Sequence, residues 1–267
     1  MPQIKSVVLP DDIDRIIVVC DLHGLTAPLK VIDDILSDLS EKVQVIAAGD
    51  YFVNGLHPKE TLEWVQRTAG EFAIRGNHDV ASAPEGDFPS YTEEGAFNRF
   101  DNKLKDYLAT LPDILELTWH EKRIRITHDR TPSEKNLLWT ATVPEGVEMF
   151  ADPAMDLTIF AHTHYPFVEK LPNTIVANSG STSCLLFGHK REDGSIHCKG
   201  RKGETYKPVS EIYSTYISIV IKDGCIHPTV ERFTYDYEPE IRALQDIAHP
   251  NLERLSVLYR TGLDIEP

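Results

Sequence analysis

Five short polar motifs in this chain carry side chains that are able to bind metal ions. The motifs are Asp21-Leu22-His23, Gly49-Asp50, Gly76-Asn77-His78-Asp79, His128 and His162-Thr163-His164. Each motif follows a short apolar run that is typical of a β-strand. Because open α/β sheets form their functional sites outside the carboxyl ends of the strands, the motifs are expected to meet at one edge. Together they offer oxygen and imidazole ligands for two metal ions, with one further histidine beside them.

Each motif has an ordinary structural explanation when it is taken alone. Asp21-Leu22-His23 is compatible with a capped turn, and Asp50 is compatible with the cap of the next helix. His162-Thr163-His164 is a stronger signal, because side chains two positions apart near a strand end point to the same side. The combination of seven potential ligands, each placed after a strand, favours a two-metal site. Such sites are typical of enzymes that hydrolyse phosphoesters, so this reaction is the leading hypothesis.

The first half of the chain alternates strand and helix patterns. Apolar runs predict strands over residues 16–20, 43–48 and 72–74. Helical spacing predicts a helix over residues 28–42, and Pro58 is well placed in the first turn of a second helix. The spacing of the first three motifs matches successive βαβ units of about 30 residues. The pattern therefore predicts an α/β fold.

The second half is less regular and is predicted in shorter pieces. The predicted elements are a loop over 81–92, one helix over 94–111, strands over 114–117, 123–127, 157–161 and 174–177, a hairpin over 213–221 and 226–233, and one or two C-terminal helices over 238–260. Alternation in residues 123–127 indicates an edge or half-buried strand. Residues 188–208 are basic and glycine-rich, so an inserted hairpin or loop is expected there, and it could act as a lid. Residues 1–267 show no repeat or linker and are predicted to form a single domain.

The composition argues against several classes of protein. Hydrophobic residues make up 41% and charged residues 26% of the chain, which is typical of a globular protein with a buried core. No apolar stretch approaches the roughly 20 residues of a membrane span, and no signal peptide is recognisable, so a cytoplasmic protein without membrane contact is expected. Four scattered cysteines without CxxC spacing argue against a structural zinc site. A net charge of −15 argues against a nucleic-acid polymer as partner.

The order of the five motifs resembles the signature of the calcineurin-like metallophosphoesterase superfamily, which runs DxH, GD, GNH(D/E), H and HxH. Within that superfamily the chain is most similar to the compact bacterial and archaeal phosphoesterases. Three further segments carry this similarity: Gly49-Asp50-Tyr51-Phe52-Val53-Asn54-Gly55 followed by Pro58, Ala177-Asn178-Ser179-Gly180-Ser181, and Tyr235-Asp236-Tyr237-Glu238. The resemblance covers nearly the whole chain. It implies a four-layer αββα sandwich of two mixed β-sheets flanked by helices, with the metals at one end.

The resemblance also implies a ligand set and a mechanism. One metal ion would be held by Asp21, His23, Asp50 and His164, and the other by Asn77, His128, His162 and the same Asp50 as a bridge. These oxygen and nitrogen donors favour Mn, with Fe, Zn or Ni as alternatives, over Mg, which prefers oxygen ligands alone. A metal-bridging hydroxide would attack phosphorus in line. His78 would protonate the leaving oxygen, with Asp79 orienting its imidazole.

The expected substrates are small phosphodiesters, and family analogy suggests nucleotide-derived ones. Val53-Asn54-Gly55 stands where protein Ser/Thr phosphatases have Asp-Arg-Gly, so the arginine that binds phosphate there is missing. A phosphomonoesterase or protein phosphatase of the same fold is nevertheless an alternative. A non-catalytic scaffold, as in the retromer subunit of this superfamily, is a second alternative, and the presence of His78 with all seven ligands argues against it.

Charged residues near the motifs have two readings each. Asp129 follows His128 where the family commonly has glycine, and its carboxylate either repels a charged substrate or hydrogen-bonds the backbone. Arg75 and Arg130 could supply positive charge near the site, and Arg130 is the candidate for substrate binding. Ordinary ion pairs are the alternative for both arginines. The sequence gives no basis for an oligomeric state.

Overall fold

The computed structural model describes residues 2–79, 89, 91–129, 147, 150–191, 193–198 and 211–265. In chain order the elements are β1 (Ile4–Val8), β2 (Arg15–Val19), α1 (Ala27–Asp38), β3 (Val43–Ala47), α2 (Pro58–Thr68), α3 (Glu93–Arg99), α4 (Asn102–Thr110), β4 (Ile114–Trp119), β5 (Lys122–Thr127), β6 (Leu157–Phe160), β7 (Phe167–Lys170), β8 (Ile175–Asn178), β9 (Gly188–Lys190), β10 (Ile196–Cys198), β11 (Ser214–Lys222), β12 (Cys225–Phe233), α5 (Glu238–Asp246), α6 (Leu252–Thr261) and β13 (Leu263–Ile265).

Two mixed β-sheets form the centre of the fold. The larger sheet has the strand order β1-β4-β5-β6-β8-β7, and the smaller has the order β12-β11-β2-β3. Strands β5, β6 and β8 run parallel to one another, whereas β4 and β7 run antiparallel to their inner neighbours. In the smaller sheet β2 and β3 are parallel. The prediction of an α/β fold with mixed sheets is confirmed.

The alternation of β2 divides its side chains between two hydrophobic cores. Ile16 and Val18 point to one face and pack with Ile124 of the larger sheet, so this core lies between the two sheets. Ile17 and Val19 point to the other face and pack against helices α1, α2 and α4. Strand β2 is therefore buried on both faces, which explains why its sequence is a continuous apolar run.

The outer face of the larger sheet combines aromatic packing with ion pairs. Phe150 stacks on Phe160 with ring centroids 4.1 Å apart. Arg125 of β5 forms ion pairs with Glu116 and Asp152 at 2.7 and 2.6 Å. Strand β5 lies inside the sheet and its residues 124–127 are buried on both faces, so the prediction of an edge or half-buried strand is wrong.

Three predicted elements differ from those in the structure. The single helix predicted over residues 94–111 is two helices, because Phe100 and Asp101 are extended and the Asp101 carboxylate caps α4 by accepting from the Leu104 amide at 2.9 Å. The strand predicted over residues 72–74 is reduced to one parallel bridge between Ala73 and Ala47. The helix after Pro28 ends at Asp38 rather than at residue 42.

The other predicted segments that lie within the described residues are present in the structure. Residues 214–222 and 225–233 form the expected hairpin, with Asp223 and Gly224 at φ 52° and 70° in the turn. The C-terminal segment forms two helices, and β9 pairs with β10 within residues 188–208. The predicted loop over 81–92 and residues 199–208 lie largely outside the described residues. Within the described part of the chain, no helix is long and apolar enough to cross a membrane.

Removal of the Asp101 cap is expected to destabilise the protein. Asp101→Ala should lower the free energy of unfolding by about 1 kcal/mol, because the Leu104 amide loses its side-chain acceptor. Asp106→Ala makes the same charge change at an exposed position of α4, and a change below about 0.5 kcal/mol is expected. Urea denaturation followed by circular dichroism measures both. Equal stabilities of the two variants would contradict the assigned cap.

Candidate metal centre

The carboxyl ends of the strands bring all seven predicted ligands to one region. Asp21 and His23 follow β2, Asp50 follows β3, and His128 follows β5 directly. His162 and His164 follow β6, and Asn77 follows the single bridge at Ala73. Because β2 and β3 are parallel, as are β5 and β6, each pair of loops leaves its sheet at the same edge.

Five of the predicted ligands have backbone conformations that L-residues rarely adopt. These are Asp21, His23, Asp50, His162 and His164, with φ values of 51°, 48°, 57°, 67° and 55°. A residue in this region costs of order 1–3 kcal/mol, and such strain is concentrated at functional sites. The turns that aim these side chains inward are therefore maintained by the surrounding structure at an energetic cost.

Two glycines of the motifs are required by close approach of the backbone. A Cβ at Gly49, which has φ 90°, would lie 2.6 Å from the amide nitrogen of Gly76. A Cβ at Gly76 would lie 2.1 Å from Oδ1 of Asp50. These separations are far below normal contact, so the loops after β3 and after the Ala73 bridge can touch only with glycine at both positions.

The first group of ligands consists of Asp21, His23 and His164. Their ligand atoms lie within 4.8 Å of one another. The Nε2 atom of His164 is 3.1 Å from Oδ1 of Asp21 and 3.1 Å from Nε2 of His23. Oδ1 of Asp21 is buried and accepts no hydrogen bond within the described part of the chain. A buried carboxylate oxygen beside two converging imidazole nitrogens fits a divalent metal ion.

The second group consists of Asp50, His128 and His162, with Asn77 beside them. Nε2 of His128 is 3.1 Å from Oδ2 of Asp50 and 3.0 Å from Oδ1 of Asn77. Nδ1 of His162 lies 2.8 Å from the same Asn77 oxygen. The two groups adjoin each other, since Nε2 of His128 is 4.0 Å from Oδ1 of Asp21. Asp50 as a bridge between two ions stays a prediction.

Backbone carbonyls orient two of the imidazoles. His128 donates from Nδ1 to the Ala48 carbonyl at 2.8 Å, and His164 donates from Nδ1 to the Cys184 carbonyl at 2.7 Å. With Nδ1 occupied in this way, Nε2 of each ring faces the carboxylates. Metal-binding histidines usually carry such a second hydrogen bond, which fixes the ring and its tautomer.

Charges within the site perturb the pKa values of its residues. Burial would raise the pKa of Asp21, but the adjacent His164 lowers it to about 2. Burial would lower the pKa of His128, but the carboxylates of Asp50 and Asp21 raise it to about 10. Burial and the neighbouring His164 lower the pKa of His23 to about 3. Burial would likewise lower the pKa of His164, but the Asp21 carboxylate raises it. Without metal, protons on His128 and His164 thus compensate the buried carboxylates.

The structure corrects the role that the sequence suggests for Asp79. Its carboxylate accepts from the backbone amides of Asp50 and Tyr51 at 2.7 and 2.8 Å, so it holds the loop after β3 rather than the His78 ring. Burial and the Asp50 carboxylate raise the pKa of Asp79 to about 7. Nδ1 of His78 is instead 2.7 Å from Oε1 of Glu93.

Glu93 and two serines are site residues that the sequence does not identify. Glu93 begins α3, and only the preceding Thr92, which caps that helix, marks its position in the sequence. Ser181 and Ser183 both donate to the backbone carbonyl of Asp21, at 3.0 and 2.6 Å. Ser181 lies in the segment 177–181 that resembles the superfamily. Its hydrogen bond to the Asp21 carbonyl, however, follows only from the fold.

The structure describes two of the three charged residues that the sequence singles out near the motifs. Arg75 forms an ion pair with Asp113 at 3.3 Å, in agreement with its ordinary reading. Arg130, the candidate for substrate binding, lies outside the described residues. Asp129 is buried next to His128, and its carboxylate contributes to raising the pKa of that histidine.

The sequence matches the family model described as the calcineurin-like phosphoesterase superfamily domain over residues 15–198. This range contains every predicted metal ligand together with His78. The chain therefore belongs to the calcineurin-like phosphoesterase superfamily, as its motifs predicted. Members of this family are phosphoesterases by description, and the two ligand groups fit a metal-dependent member.

Several solved structures share the fold of this chain. A metallophosphoesterase from Sphaerobacter thermophilus has 16% identity and a TM-score of 0.64, covering 91% of this chain and 98% of its own. A hypothetical protein from Pyrococcus horikoshii has 16% identity and a TM-score of 0.63, covering 92% and 98%. A protein provisionally assigned as a diadenosine tetraphosphatase has 16% identity and a TM-score of 0.52, covering 86% and 98%. No match to the chain is found among curated protein sequences.

Metal binding is expected to release protons and to strengthen as pH rises. The pKa of His128 is raised to about 10, so below that pH its ring carries a proton that a metal ion must displace. The affinity for Mn²⁺ should therefore rise about tenfold per pH unit for each proton displaced between pH 6 and 8.

Calorimetry of the metal-stripped protein in buffers of different ionisation enthalpy counts these protons. Asp50→Asn should reduce the number of protons released on metal binding, because the carboxylate that keeps His128 protonated is gone. Asp34→Asn makes the same substitution at an exposed position and should leave it unchanged. A pH-independent affinity for Mn²⁺ would contradict this account.

Proposed function

We propose that this protein is a metal-dependent phosphodiesterase that hydrolyses small phosphodiesters. One observation carries the proposal: two adjacent groups of ligands converge at the strand ends, and His78 lines the same cavity as His23, Asp50 and His162. A site of this kind combines metal binding with a separate imidazole for proton transfer. The net charge of −15 supports a small substrate over a nucleic-acid polymer or an anionic membrane surface.

The donor chemistry favours two divalent ions, with Mn preferred and Fe, Zn or Ni as alternatives. Neither ligand group contains a cysteine, and both combine a carboxylate with two imidazoles. Bound ions would supply Lewis acidity at the phosphoryl oxygens and lower the pKa of a water molecule for in-line attack. The chain's own residues hold these donors in place through backbone carbonyls and strained turns.

His78 is proposed as the group that serves the leaving oxygen. Its backbone amide donates to Oδ1 of Asp50 at 3.0 Å, which ties it to the ligand loop. Its Nδ1 atom lies against Glu93, so the ring is held from one side and Nε2 is left for the substrate. General acid catalysis of this type contributes roughly 10²–10⁴-fold in rate.

Two features bear on the kind of ester. Val53 and Asn54 line the cavity at the position where protein phosphatases have their phosphate-binding arginine, which disfavours a phosphoprotein substrate. The neighbour provisionally assigned as a diadenosine tetraphosphatase supports a nucleotide-derived substrate as one option. A phosphomonoesterase of the same fold is the competing activity. The cytoplasm is proposed as the location, because the cysteines show no disulfide spacing.

Hydrolysis of bis(p-nitrophenyl) phosphate and of p-nitrophenyl phosphate by metal-stripped protein with added Mn²⁺ tests the proposal. The diester is expected to have the higher kcat/KM. Asp50→Asn should lower this kcat/KM by about 100-fold or more, because an amide binds metal more weakly than the carboxylate at the proposed bridging position. Asp34→Asn is the matched control at an exposed position. Higher kcat/KM for the monoester would favour a phosphomonoesterase. No turnover with Mn²⁺, Fe²⁺, Zn²⁺ or Ni²⁺ bound would refute both activities.

Glu93→Gln is expected to lower kcat by about tenfold for esters with poor leaving groups and by less for p-nitrophenyl esters. The reason is that poor leaving groups depend most on a well-oriented His78. Glu94→Gln makes the same change one residue along the helix and should leave both rates near wild type. The measurement is kcat for methyl phenyl phosphate against methyl p-nitrophenyl phosphate. An equal loss on both esters would show that Glu93 acts on overall structure and not through His78.

A further inference from the structure

The cavity at the metal centre extends well beyond the ligands. Its volume is about 360 Å³, and it reaches from His23 and Asp50 at one end to Leu255 and Leu258 at the other. Ligand pockets for whole small molecules measure about 300–1,000 Å³, so there is room for more than a phosphate group. The part away from the metal ligands therefore needs its own explanation.

This far side of the cavity is formed mainly by the C-terminal elements. Helix α6 contributes Arg254, Leu255 and Leu258, and strand β13 contributes Asp264. We refer to these four residues together with Leu186 as the C-terminal wall. Apart from Leu186, the wall lies beyond residue 198, where the match to the superfamily model ends. The metal ligands all lie within that match, so the two sides of the cavity have separate origins in the chain.

Backbone pairing attaches the C-terminal wall to the metal-binding loop. The Leu186 amide donates to the carbonyl of His164 at 3.0 Å, and the Phe187 amide donates to that of Gly262 at 2.7 Å. Strand β13 then continues parallel to β9, with Asp264 opposite His189. The wall is thus held at a fixed position relative to a metal ligand rather than on a free tail.

The chemistry of the wall is apolar with one polar end. Leu255 and Leu258 are 2% and 9% exposed, and Leu186 is half-buried beside them. At the polar end Arg254 donates to both carboxylate oxygens of Asp264, at 2.6 and 2.8 Å. Apolar walls with a few oriented polar groups are typical of sites for flat organic molecules.

The charge balance of the wall argues against a second phosphate. Among the described residues that line the cavity, Arg254 is the only lysine or arginine, and its charge is compensated by Asp264. A polyphosphate chain would need several cations beyond the metal centre to offset its charge. An uncharged organic group has no such requirement.

We propose that the C-terminal wall binds the organic group of a phosphodiester, and that this group is a flat, largely apolar ring with polar edge substituents. This inference rests on the proposed function and narrows its substrate. In this arrangement Leu255 and Leu258 of α6 lie along one face of the ring, and the Arg254–Asp264 pair meets its polar edge. Tyr259 lines the same cavity and has a buried hydroxyl without a hydrogen-bond partner in the described part of the chain. The substrate is therefore a monoanionic ring-bearing diester rather than a polyphosphate.

Two diesters with the same leaving group test the wall directly. Phenyl p-nitrophenyl phosphate is expected to exceed methyl p-nitrophenyl phosphate in kcat/KM by about 10- to 100-fold with the Mn²⁺-loaded protein, after correction for their reactivity toward hydroxide. Leu255→Ala should lower this ratio at least about fivefold. Leu244→Ala removes a buried leucine of the same hydrophobic cluster that does not line the cavity, and it should keep the wild-type ratio.

If Leu255→Ala fails to fold, Leu186→Ala replaces it, because Leu186 is only half-buried. Thymidine 5′-(p-nitrophenyl) phosphate distinguishes the source of the ring. A higher kcat/KM than for the phenyl ester assigns a nucleoside, and a lower one assigns a simple aryl group. Both results uphold the wall as a ring-binding site.

Other results overturn the inference. Equal kcat/KM for the phenyl and methyl esters would do so, as would a ratio that neither Leu255→Ala nor Leu186→Ala changes. A dinucleoside tetraphosphate preferred tenfold over every ring-bearing diester would also contradict the charge argument. If no diester is hydrolysed, the proposed function fails. Calorimetry with phenylphosphonate and methylphosphonate then tests the wall alone, since a tenfold tighter Kd for the phenyl compound, lost in Leu255→Ala, supports it and equal Kd values refute it.

Discussion

The burial of two carboxylates side by side is the constraint on which the site depends. Asp21 and Asp50 are almost fully removed from solvent at the ends of adjacent parallel strands. An isolated buried charge is very costly, so each carboxylate needs a cation beside it. The carboxylates raise the pKa values of His164 and His128, so these rings hold protons and provide that charge. Bound divalent ions would compensate the carboxylates in place of these protons. The preference of the site for positive charge is therefore already present in the protein without metal.

The same constraint explains why the surrounding backbone is unusual. The turns that direct Asp21, Asp50 and the histidines inward have positive φ values, which cost free energy in every L-residue. Gly49 and Gly76 allow the two loops to come within contact distance, and Asp79 ties the loop after β3 through backbone amides. Strain is thus offset by hydrogen bonds and packing from the sandwich core. The buried residues of both sheets serve to keep strained loops in one conformation.

The sequence predicts well where the candidate metal ligands lie, because each motif is local. A polar residue that directly follows a buried strand has little freedom in where it lies, so Asp21, Asp50, His128 and the His162–His164 pair could be placed from strand ends alone. Glu93 could not, because its contact with His78 depends on how α3 packs against the sheet. The role of Asp79 was misjudged for a similar reason, since its partners are backbone amides that no side-chain pattern reveals. Strand β7 was missed because four residues with one antiparallel neighbour carry little pattern. The break at Asp101, in contrast, has a readable signal in a capping aspartate that the apolar spacing obscured.

The proposed reaction and the proposed selectivity depend on different parts of the chain. The candidate ligands and His78 lie within residues 15–198, the range of the superfamily match, and in the proposed function they determine which bond is broken. The C-terminal wall lies mostly after that range and contacts the cavity without contributing a metal ligand. The two parts are joined by the backbone bonds of Leu186 and Phe187, by the pairing of β9 with β13, and by a hydrophobic cluster in which Leu25 and Cys184 pack with Leu255 and Leu258. Changes on the cavity side of α6 can alter the shape of the cavity while every candidate metal ligand stays the same. A fold with this arrangement can change its substrate by repacking one helix, whereas a change in the metal centre would have to satisfy two buried charges at once.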